Sequence, residues 1–392
     1  MASSRSKLSA THLGLDVSEE RALNELVGVD IGALNVLLQR VFWGIHQADV
    51  IRIDIDATLE QLRKRFPGFF VVPLMEAYVL RIRQQHDEAD AALARAREQV
   101  TPDHPFAYIM PTDSEWAFKP QAQTLDEVVP GSVWRLRSPC APDLKPWIET
   151  YATVIRRDDG SVVLFNPGPM SSEAVEEIRA LGRVTHIVTP TKFHNQFIED
   201  AARALPEAKN IGCPGHRENP PSRSIAFDAL LSDDAPLFPD DFKQKAILGT
   251  ELGEVVFCHL PSRTLIAHDL MLGNRRGATD VSFEARFFAF AFGLHDRVGF
   301  PCYHPLLWLN HRKMKASMRE VLSWDFERYA LCHGGWDTIA QDARAELERS
   351  LEWYLNLGTF GALGLMGTFC RRQPSFLRDF LRYKIRESFR RG

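Results

Sequence analysis

The spacing of hydrophobic and polar positions along this chain changes near residue 110. Before that point, apolar residues recur at helical spacing, first over residues 33–45. Helix-forming residues with i, i+4 charge pairs then continue from residue 57 to residue 98. The pattern therefore predicts an all-α region over residues 1–110.

Residues 73–99 combine a helical pattern, a short polar turn at residues 84–87 and a second helix rich in alanine. This segment resembles one tetratricopeptide unit. An ordinary helical hairpin has the same pattern, because stable arrays need at least about three repeats to bury their faces. Docking of a protein partner on residues 1–110 and simple packing are both open as roles for this region.

Beyond residue 127, short apolar runs bounded by turn residues replace the helical spacing. Ser132–Arg137, Thr150–Arg156 and Ser161–Phe165 are predicted strands. The Asp158-Asp159-Gly160 turn between the last two predicts an antiparallel hairpin, because glycine tolerates positive φ. A helix with serine at its start and glycine at its end follows over residues 171–182.

Strands and helices alternate from that helix onward, which predicts an α/β domain. We place this domain at residues 128–357 and a linker rich in Pro, Asp and Ser at residues 111–127. An aromatic segment over residues 281–324 is predicted to pack as helices, either as a lid or pocket wall or as an ordinary core helix.

The most informative stretch is residues 250–270, where two short buried strands flank a Pro261-Ser262-Arg263 turn. Asp269 follows the second of these strands. A residue at the end of a strand is held rigidly in position, as a catalytic side chain must be, so Asp269 is a candidate catalytic residue. Capping of the next turn is the alternative role, since Asp often accepts backbone N–H bonds in loops.

Composition narrows the class of protein. A hydrophobic content of 45%, a charged content of 25% and a net charge of -4 are those of a soluble globular protein, with no reason to expect nucleic acid. The six cysteines include no C-x-x-C pair, which favours a reducing cytoplasm over a zinc ribbon or disulfide scaffold. We also expect no secretory signal and no membrane-spanning helix.

The carboxy-terminal segment, residues 358–392, has the one strong charge bias of the chain. Arginines and phenylalanines recur there at roughly helical spacing, which predicts a basic amphipathic tail. Binding of residues 371–392 to an anionic membrane surface, at the inner face of the membrane, is one expected role. Intramolecular docking of the same helix is the other.

Five segments together carry a family resemblance: VWRLRSP, VVLFNPGP, VTHIVTPTKFHNQF, GEVVFCHLPSRTLIAHDL and YALCHGG. Over residues 128–345 the chain resembles an uncharacterised family of metallo-beta-lactamase-like domains. The resemblance implies a four-layer αβ/βα sandwich with its active site at the open edge, where loops of both sheets meet.

The same resemblance implies a reduced metal site. His194, Asp269 and His333 match ligand positions of the wider superfamily. Its other positions hold residues that are poor ligands or departures from the pattern, namely Pro190, Lys192, Asn195 and Thr250. Three protein ligands and one open position suit a single zinc, iron or manganese ion, whereas two ions need further ligands.

Lys192 brings an ammonium group to this loop, and it would repel a cation unless it pairs with Asp269 or Glu251. A metal-free, hydrogen-bonded cluster of His194, Asp269, His333 and Lys192 is therefore the equal alternative to a metal site. Asp269 and Lys192 are the candidate catalytic residues. The candidate substrate-binding residues are Lys192, Asn195, Glu251 and His216.

Cys332 precedes His333, and a Cys-His pair suggests nucleophilic catalysis. Both residues are expected on a strand, where neighbouring side chains point to opposite faces, so their side chains should not meet. Two hypotheses result. One is a hydrolase-like protein with at most one metal ion, acting on an ester, lactone or related small molecule; the other is a non-catalytic protein that binds an anionic small molecule or serves in assembly.

Overall fold

The computed structural model describes residues 17–46, 53–117, 123–139, 149–218, 222, 224–274, 281–294, 296–334, 342–372 and 378. The chain divides into two compact units. The first comprises Met1–Thr112, Phe290–Gly293 and Asn356–Gly392, and the second comprises Asp113–Ala289 and Leu294–Leu355. Besides the amino-terminal residues, the first unit takes in two segments from beyond residue 289.

The first unit is helical within the described residues. Its helices are α1 Val17–Val27, α2 Ile31–His46, α3 Ile55–Arg65, α4 Val71–Ile82, α5 His86–Gln99 and, near the carboxy terminus, α12 Thr359–Arg372. Helices α2 and α4 supply the largest shares of its core, where the rings of Phe42 and Tyr78 lie 5.2 Å apart. Helices α4 and α5 form the predicted hairpin, and Gln84 turns the chain between them with φ 64°.

Among the described helices, no single one is long and apolar enough to cross a membrane. One bent pair, Glu19–Val27 with Ile31–Ile45, meets that test by length and composition alone. Of the predicted basic tail, residues 358–392, the structure describes residues 358–372, which include helix α12, and residue 378, while the other residues lie outside the described part of the chain.

The second unit contains a seven-stranded sheet whose strands follow one another in chain order. They are β1 Leu125–Val129, β2 Val133–Pro139, β3 Glu149–Arg156, β4 Ser161–Phe165, β5 Arg183–Thr189, β6 Lys209–Gly212 and β7 Ala229–Leu230. Strands β1 to β4 are antiparallel, and β4 to β7 are parallel. The hairpin predicted between β3 and β4 is confirmed, with Gly160 at φ 78°.

Six further strands complete the unit: β8 Phe242–Ala246, β9 Val255–His259, β10 Thr264–Ala267, β11 Leu272–Asn274, β12 Arg297–Gly299 and β13 Arg328–Leu331. Four of them form a second sheet in the order β13-β10-β9-β8, while β11 and β12 pair separately. Strands β9 and β10 are the predicted antiparallel pair around the Pro261–Arg263 turn. Strand β13 lies parallel to β10.

The two sheets pack face to face through their apolar side chains. Phe165 from the first sheet lies 5.6 Å from Phe242 and 5.0 Å from Phe257 of the second sheet, measured between ring centroids. Each of these rings is almost fully buried. Burying a side chain of this size stabilises the folded state by about 1.5–3 kcal/mol, so this layer is a major source of stability.

Helices cover the outer faces of both sheets. Helix α7 (Ser172–Leu181) and helix α8 (Ile198–Ala204) pack on the seven-stranded sheet. Helix α10 (His311–Leu322) lies against β8, and helix α11 (Ala343–Leu355) lies against β13. The predicted four-layer αβ/βα sandwich preceded by a helical region is therefore confirmed.

Two short helices remain, α6 Asp113–Trp116 and α9 Phe283–Ala291. Helix α9 is the start of the aromatic segment. Phe283 and Phe287 are fully buried and stack with centroids 5.7 Å apart and planes 18° apart. For α9, this burial agrees with the core-helix alternative, and the role of a lid or pocket wall stays a prediction.

Candidate metal centre

The candidate site lies where three segments leave the sheets of the second unit. His194 belongs to the loop after β5, Asp269 follows β10, and Cys332 and His333 follow β13 directly. Because β10 and β13 are parallel and Ala267 pairs with Leu331, Asp269 and His333 each stand two positions beyond a matched pair. Adjacent parallel strands thus bring a carboxylate and an imidazole to the same sheet edge.

The three sequence-predicted ligands come together. His194 Nε2 lies 3.1 Å from Asp269 Oδ1 and 3.2 Å from His333 Nε2. His333 Nε2 lies 3.8 Å from the same carboxylate oxygen. The three side chains are 12–18% exposed, so the cluster is largely buried and open to solvent on one side.

Cys332 joins this cluster, which corrects the expectation that Cys332 and His333 should not meet. Cys332 Sγ lies 3.8 Å from His194 Nε2, and ligand atoms of all four residues lie within 4.8 Å of one another. The expectation was wrong because strand β13 ends at Leu331. Alternation of side chains applies within a strand, and both residues lie just beyond its end.

His333 is oriented from the opposite sheet. Its Nδ1 lies 2.9 Å from the carbonyl oxygen of Glu149 in β3. Since a carbonyl oxygen only accepts hydrogen bonds, Nδ1 carries the hydrogen and Nε2 of the neutral ring points a lone pair at the cluster. Burial and the neighbouring His194 ring lower the pKa of His333 to about 4, which keeps this ring neutral at pH 7.

The Asp269 side chain is oriented by a hydrogen bond from Thr191. Thr191 Oγ1 donates to Asp269 Oδ2 at 3.1 Å, which leaves Oδ1 to face the two histidines. Burial raises the pKa of the Asp269 carboxyl, but the electrostatic interaction with His194 and the hydrogen bond between the two side chains outweigh burial and hold this pKa below its ordinary value. Asp269 is therefore ionised at neutral pH.

Glu254 fixes the chain on both sides of Asp269. This fully buried side chain accepts from the backbone N–H of His268 and of Leu270, each at 2.8 Å. Burial, and secondarily the Asp269 charge, raise the pKa of Glu254 well above its ordinary value. Glu254 was not among the predicted site residues, because nothing in its position just before β9 marks it as a partner of the Asp269 loop.

Arg135 fixes the loop that carries Cys332 and His333. Its Nη2 donates to the carbonyl oxygens of Leu331 at 2.6 Å and Gly334 at 3.2 Å, and its guanidinium lies 3.8 Å from the Tyr151 ring centroid. Gly334 has φ 123°, and an added Cβ there would lie 2.8 Å from the backbone of Gly273. The end of β13 is thus held by Arg135 of β2 on one side and lies close to β11 on the other.

Lys192 pairs with Glu251. Its Nζ lies 3.7 Å from Glu251 Oε2, and both side chains are partly exposed. Asn195 Nδ2 donates to the carbonyl oxygen of Lys192 at 3.0 Å, which closes the loop on itself. The Lys192 ammonium therefore lies beside the Glu251 carboxylate. This pairing reduces the repulsion between Lys192 and a cation at the neighbouring cluster.

His216 lies inside the protein and links two loops. Its Nδ1 accepts from the backbone N–H of Cys213 at 3.0 Å, so Nε2 carries the hydrogen and donates to the carbonyl oxygen of Thr191 at 3.1 Å. The ring stacks on Phe227 with planes 7° apart. Both ring nitrogens are occupied, and the side chain is fully buried. These contacts make His216 a support for the Thr191–Asn195 loop.

We expect His216 to make the protein sensitive to mild acid. Burial lowers its pKa to about 4, whereas an unfolded histidine has a pKa of about 6.5. The unfolded chain therefore binds a proton that the folded chain excludes, and stability falls by up to about 3 kcal/mol as pH drops from 6.5 to 4. Urea unfolding of wild type and His216→Gln at pH 7 and pH 4.5 measures this loss.

The variant should lose less stability than the wild type over this range, because it has no imidazole to protonate. His86→Gln, at an exposed position, is the matched control and should follow the wild type. An equal acid dependence in wild type and His216→Gln would contradict the prediction.

The donor set of the cluster fits a divalent metal ion. In a tetrahedral site with bonds of about 2.0–2.3 Å, ligand atoms lie about 3.3–3.8 Å apart. The measured separations of 3.1, 3.2 and 3.8 Å are close to that range. Two imidazoles, a carboxylate and a thiol are all established ligands of zinc, and each histidine presents Nε2 to the same point.

The solved structures that are similar to this chain include metallo-beta-lactamases and a flavodiiron core. The chain is similar to the enzyme from Hirschia baltica at 12% identity and TM-score 0.38, covering 57% of this chain and 97% of that one. It is also similar to the enzyme from Pontibacter korlensis at 11% identity and TM-score 0.40, covering 60% of this chain and 100% of that one. A third similar structure is the metal-soaked Flv1 flavodiiron core from Synechocystis, at 11% identity and TM-score 0.41, covering 60% of this chain and 62% of that one.

No family model matches the chain, and no curated protein matches it. The tetratricopeptide resemblance of residues 73–99 accordingly stays a prediction. At these identities and TM-scores, the fold assignment depends on the sheet order and packing of the chain itself, and nothing about activity or ligands passes from the solved structures to this protein.

Proposed function

We propose that the second unit is a metal-dependent hydrolase with a single divalent ion, held by His194, Asp269 and His333. The observation that supports this proposal is the approach of their three ligand atoms to within 3.1–3.8 Å of one another at one sheet edge. The proposed substrate is an ester, a lactone or a related small molecule with an acyl or phosphoryl group.

A bound divalent ion supplies Lewis acidity and lowers the pKa of a bound water toward neutrality. The chain contributes the remaining requirements. Glu149 fixes the tautomer of His333, and Thr191 directs one oxygen of the ionised Asp269 to the cluster. Supports of this kind typically change metal affinity or activity by about 10- to 100-fold when they are removed.

We propose one ion rather than two. Among the described residues, the group of His194, Asp269, Cys332 and His333 is the one cluster with metal-ligand geometry. Two ions about 3.5–4 Å apart would need additional ligands. Lys192 instead stands at a position where the wider superfamily has a histidine, and its ammonium is already neutralised by Glu251.

The substrate is proposed to enter beside the loop that carries His194. Phe193 is half exposed there and offers apolar surface for an acyl or alcohol portion. The Lys192–Glu251 pair and Asn195 would position polar groups of the substrate at the loop. The competing proposal of a non-catalytic anion-binding protein has less support, because the Lys192 ammonium already faces a carboxylate.

Metal analysis of the full chain tests the proposal. Protein purified without added metal should hold about one equivalent of zinc, iron or manganese, as a site with three protein ligands and an open position predicts. His333→Ala and Asp269→Ala should reduce metal affinity by more than about 100-fold, since they remove ligands themselves. The loaded wild type should hydrolyse simple aryl esters or lactones, and both variants should not.

His86→Ala, at an exposed position, is the control and should retain both metal and activity. Metal-free wild type that binds no added zinc, iron or manganese would end the proposal and favour the anion-binding alternative. Docking of a protein partner on residues 1–110 and membrane binding by residues 371–392 are separate proposals, and neither depends on this experiment.

A further inference from the structure

The thiol of Cys332 has no role in a site with three ligands. It is 1% exposed, and its Sγ lies 3.8 Å from His194 Nε2 at the centre of the cluster. Cys332 is neither at the surface nor in the apolar core between the sheets. A thiol placed among two imidazoles and a carboxylate is in the setting of a metal ligand.

The position of this thiol is built into the sheets. The backbone N–H of Cys332 donates to the carbonyl oxygen of Ala267 at 3.2 Å, and its carbonyl oxygen accepts from the backbone N–H of Tyr151 at 2.9 Å. Ala267 ends β10 of one sheet, whereas Tyr151 lies in β3 of the other. These two hydrogen bonds fix the backbone of Cys332 to both sheets, so only rotation of the side chain moves the thiol toward or away from the cluster.

We propose that Cys332 is a fourth protein ligand, which closes the site in its resting state. This inference rests on the proposed function, because it requires the three other ligands to hold an ion. Zinc sites with four protein ligands are closed, whereas catalytic sites keep one position for water or substrate. The thiol therefore competes with water for the position that hydrolysis needs, and its proton passes to solvent when the ion binds.

A nucleophilic role for the same thiol fits the structure less well. A cysteine nucleophile has to reach the substrate, and catalytic cysteines are partly exposed. Cys332 is almost fully buried, while the imidazoles of His194 and His333 occupy the exposed side of the cluster. The thiol is placed to contact an ion among the side chains rather than a substrate arriving from solvent.

The thiolate also narrows the identity of the ion. Thiolate ligands select zinc and other soft or borderline ions, whereas manganese and magnesium prefer carboxylate, carbonyl and water oxygens. Of the three ions predicted for the site, zinc fits the set of two imidazoles, one carboxylate and one thiolate best. Cobalt(II), which takes the place of zinc and absorbs visible light, is a suitable probe.

Cobalt loading of the metal-stripped full chain tests the inference. The wild type should show a thiolate-to-cobalt charge-transfer absorption in the near ultraviolet. Cys332→Ser should lose this absorption, retain cobalt with an affinity at least about tenfold weaker, and gain a visible spectrum that changes when azide is added. Cys258→Ser is the matched control, since Cys258 is a buried cysteine of β9 outside the cluster, and it should match the wild type.

X-ray absorption at the zinc edge of the wild type needs no variant and should show one sulfur at about 2.3 Å. Cobalt binding without a thiolate band, a band that survives in Cys332→Ser, or a wild-type spectrum that responds to azide would each overturn the inference. In those cases the proposed hydrolase would stand. Failure of the wild type to bind zinc or cobalt would overturn the proposed function as well.

Discussion

Replacing Glu254 with alanine is expected to lower the free energy of unfolding by about 2 to 6 kcal/mol, because each buried donor left unsatisfied costs about 1–3 kcal/mol. The two donors are the N–H groups of His268 and Leu270, which lie on either side of Asp269. No water reaches them to replace the carboxylate, since Glu254 and Leu270 are completely buried. Urea unfolding at pH 7 measures the loss.

The free energy of unfolding of Glu254→Gln should lie between those of the wild type and Glu254→Ala. The amide keeps one acceptor oxygen but presents its NH2 group to the other backbone N–H. Glu251→Ala is the control, since Glu251 is a neighbouring, partly exposed acid whose partner Lys192 reaches solvent. The Glu251→Ala substitution should change the free energy of unfolding by no more than about 1 kcal/mol, as is usual for ion pairs near the surface. A Glu254→Ala protein as stable as the Glu251→Ala protein would refute the role assigned to Glu254.

Replacing Arg135 with methionine should lower the free energy of unfolding by about 2 to 5 kcal/mol and weaken metal binding by about 10- to 100-fold. Methionine fills most of the volume of the Arg135 side chain but donates no hydrogen bond. The carbonyl oxygens of Leu331 and Gly334 would lose their buried donor, and Tyr151 would lose its guanidinium partner. Urea unfolding and zinc titration of the same preparations measure the two effects.

Arg135→Lys separates charge from geometry. Lysine keeps the positive charge but lacks the planar fork that reaches two carbonyl groups and stacks on an aromatic ring. It should recover part of the stability and little of the metal affinity. Arg156→Met, at an exposed position on β3, is the matched control and should behave like the wild type. Zinc affinity that is unchanged in Arg135→Met would show that the loop after β13 holds its shape without this contact.

Much of the second unit follows from local sequence signals. The Asp-Gly turn between β3 and β4, the serine before α7 and the turn between β9 and β10 are each short-range features, and the structure has all of them. Asp269 is also visible from its position after a buried strand. Its meeting with His194 and His333 could be expected only from the family resemblance, since these residues are separated by many positions.

The supports of the site could not be predicted because they depend on pairings between distant strands. Arg135 reaches the end of β13 from the opposite sheet, and Glu254 serves a loop that begins after the next strand. Neither contact has a signature in spacing or residue type. Cys332 was placed wrongly for a related reason, since the last residue of a strand is set by its hydrogen-bonded neighbours rather than by its own sequence.

The donors of the candidate site are fastened to both layers of the sandwich, with His333 hydrogen-bonded to β3 and Asp269 following β10. His194 follows β5 of the first sheet, so the spacing of the two sheets at Phe165 and Phe257 contributes to the distance between His194 and Asp269. We expect a change of a single methylene in that remote aromatic layer to alter the distance between these donor atoms. Evolution or design could thus tune the proposed metal site by repacking residues that lie away from it.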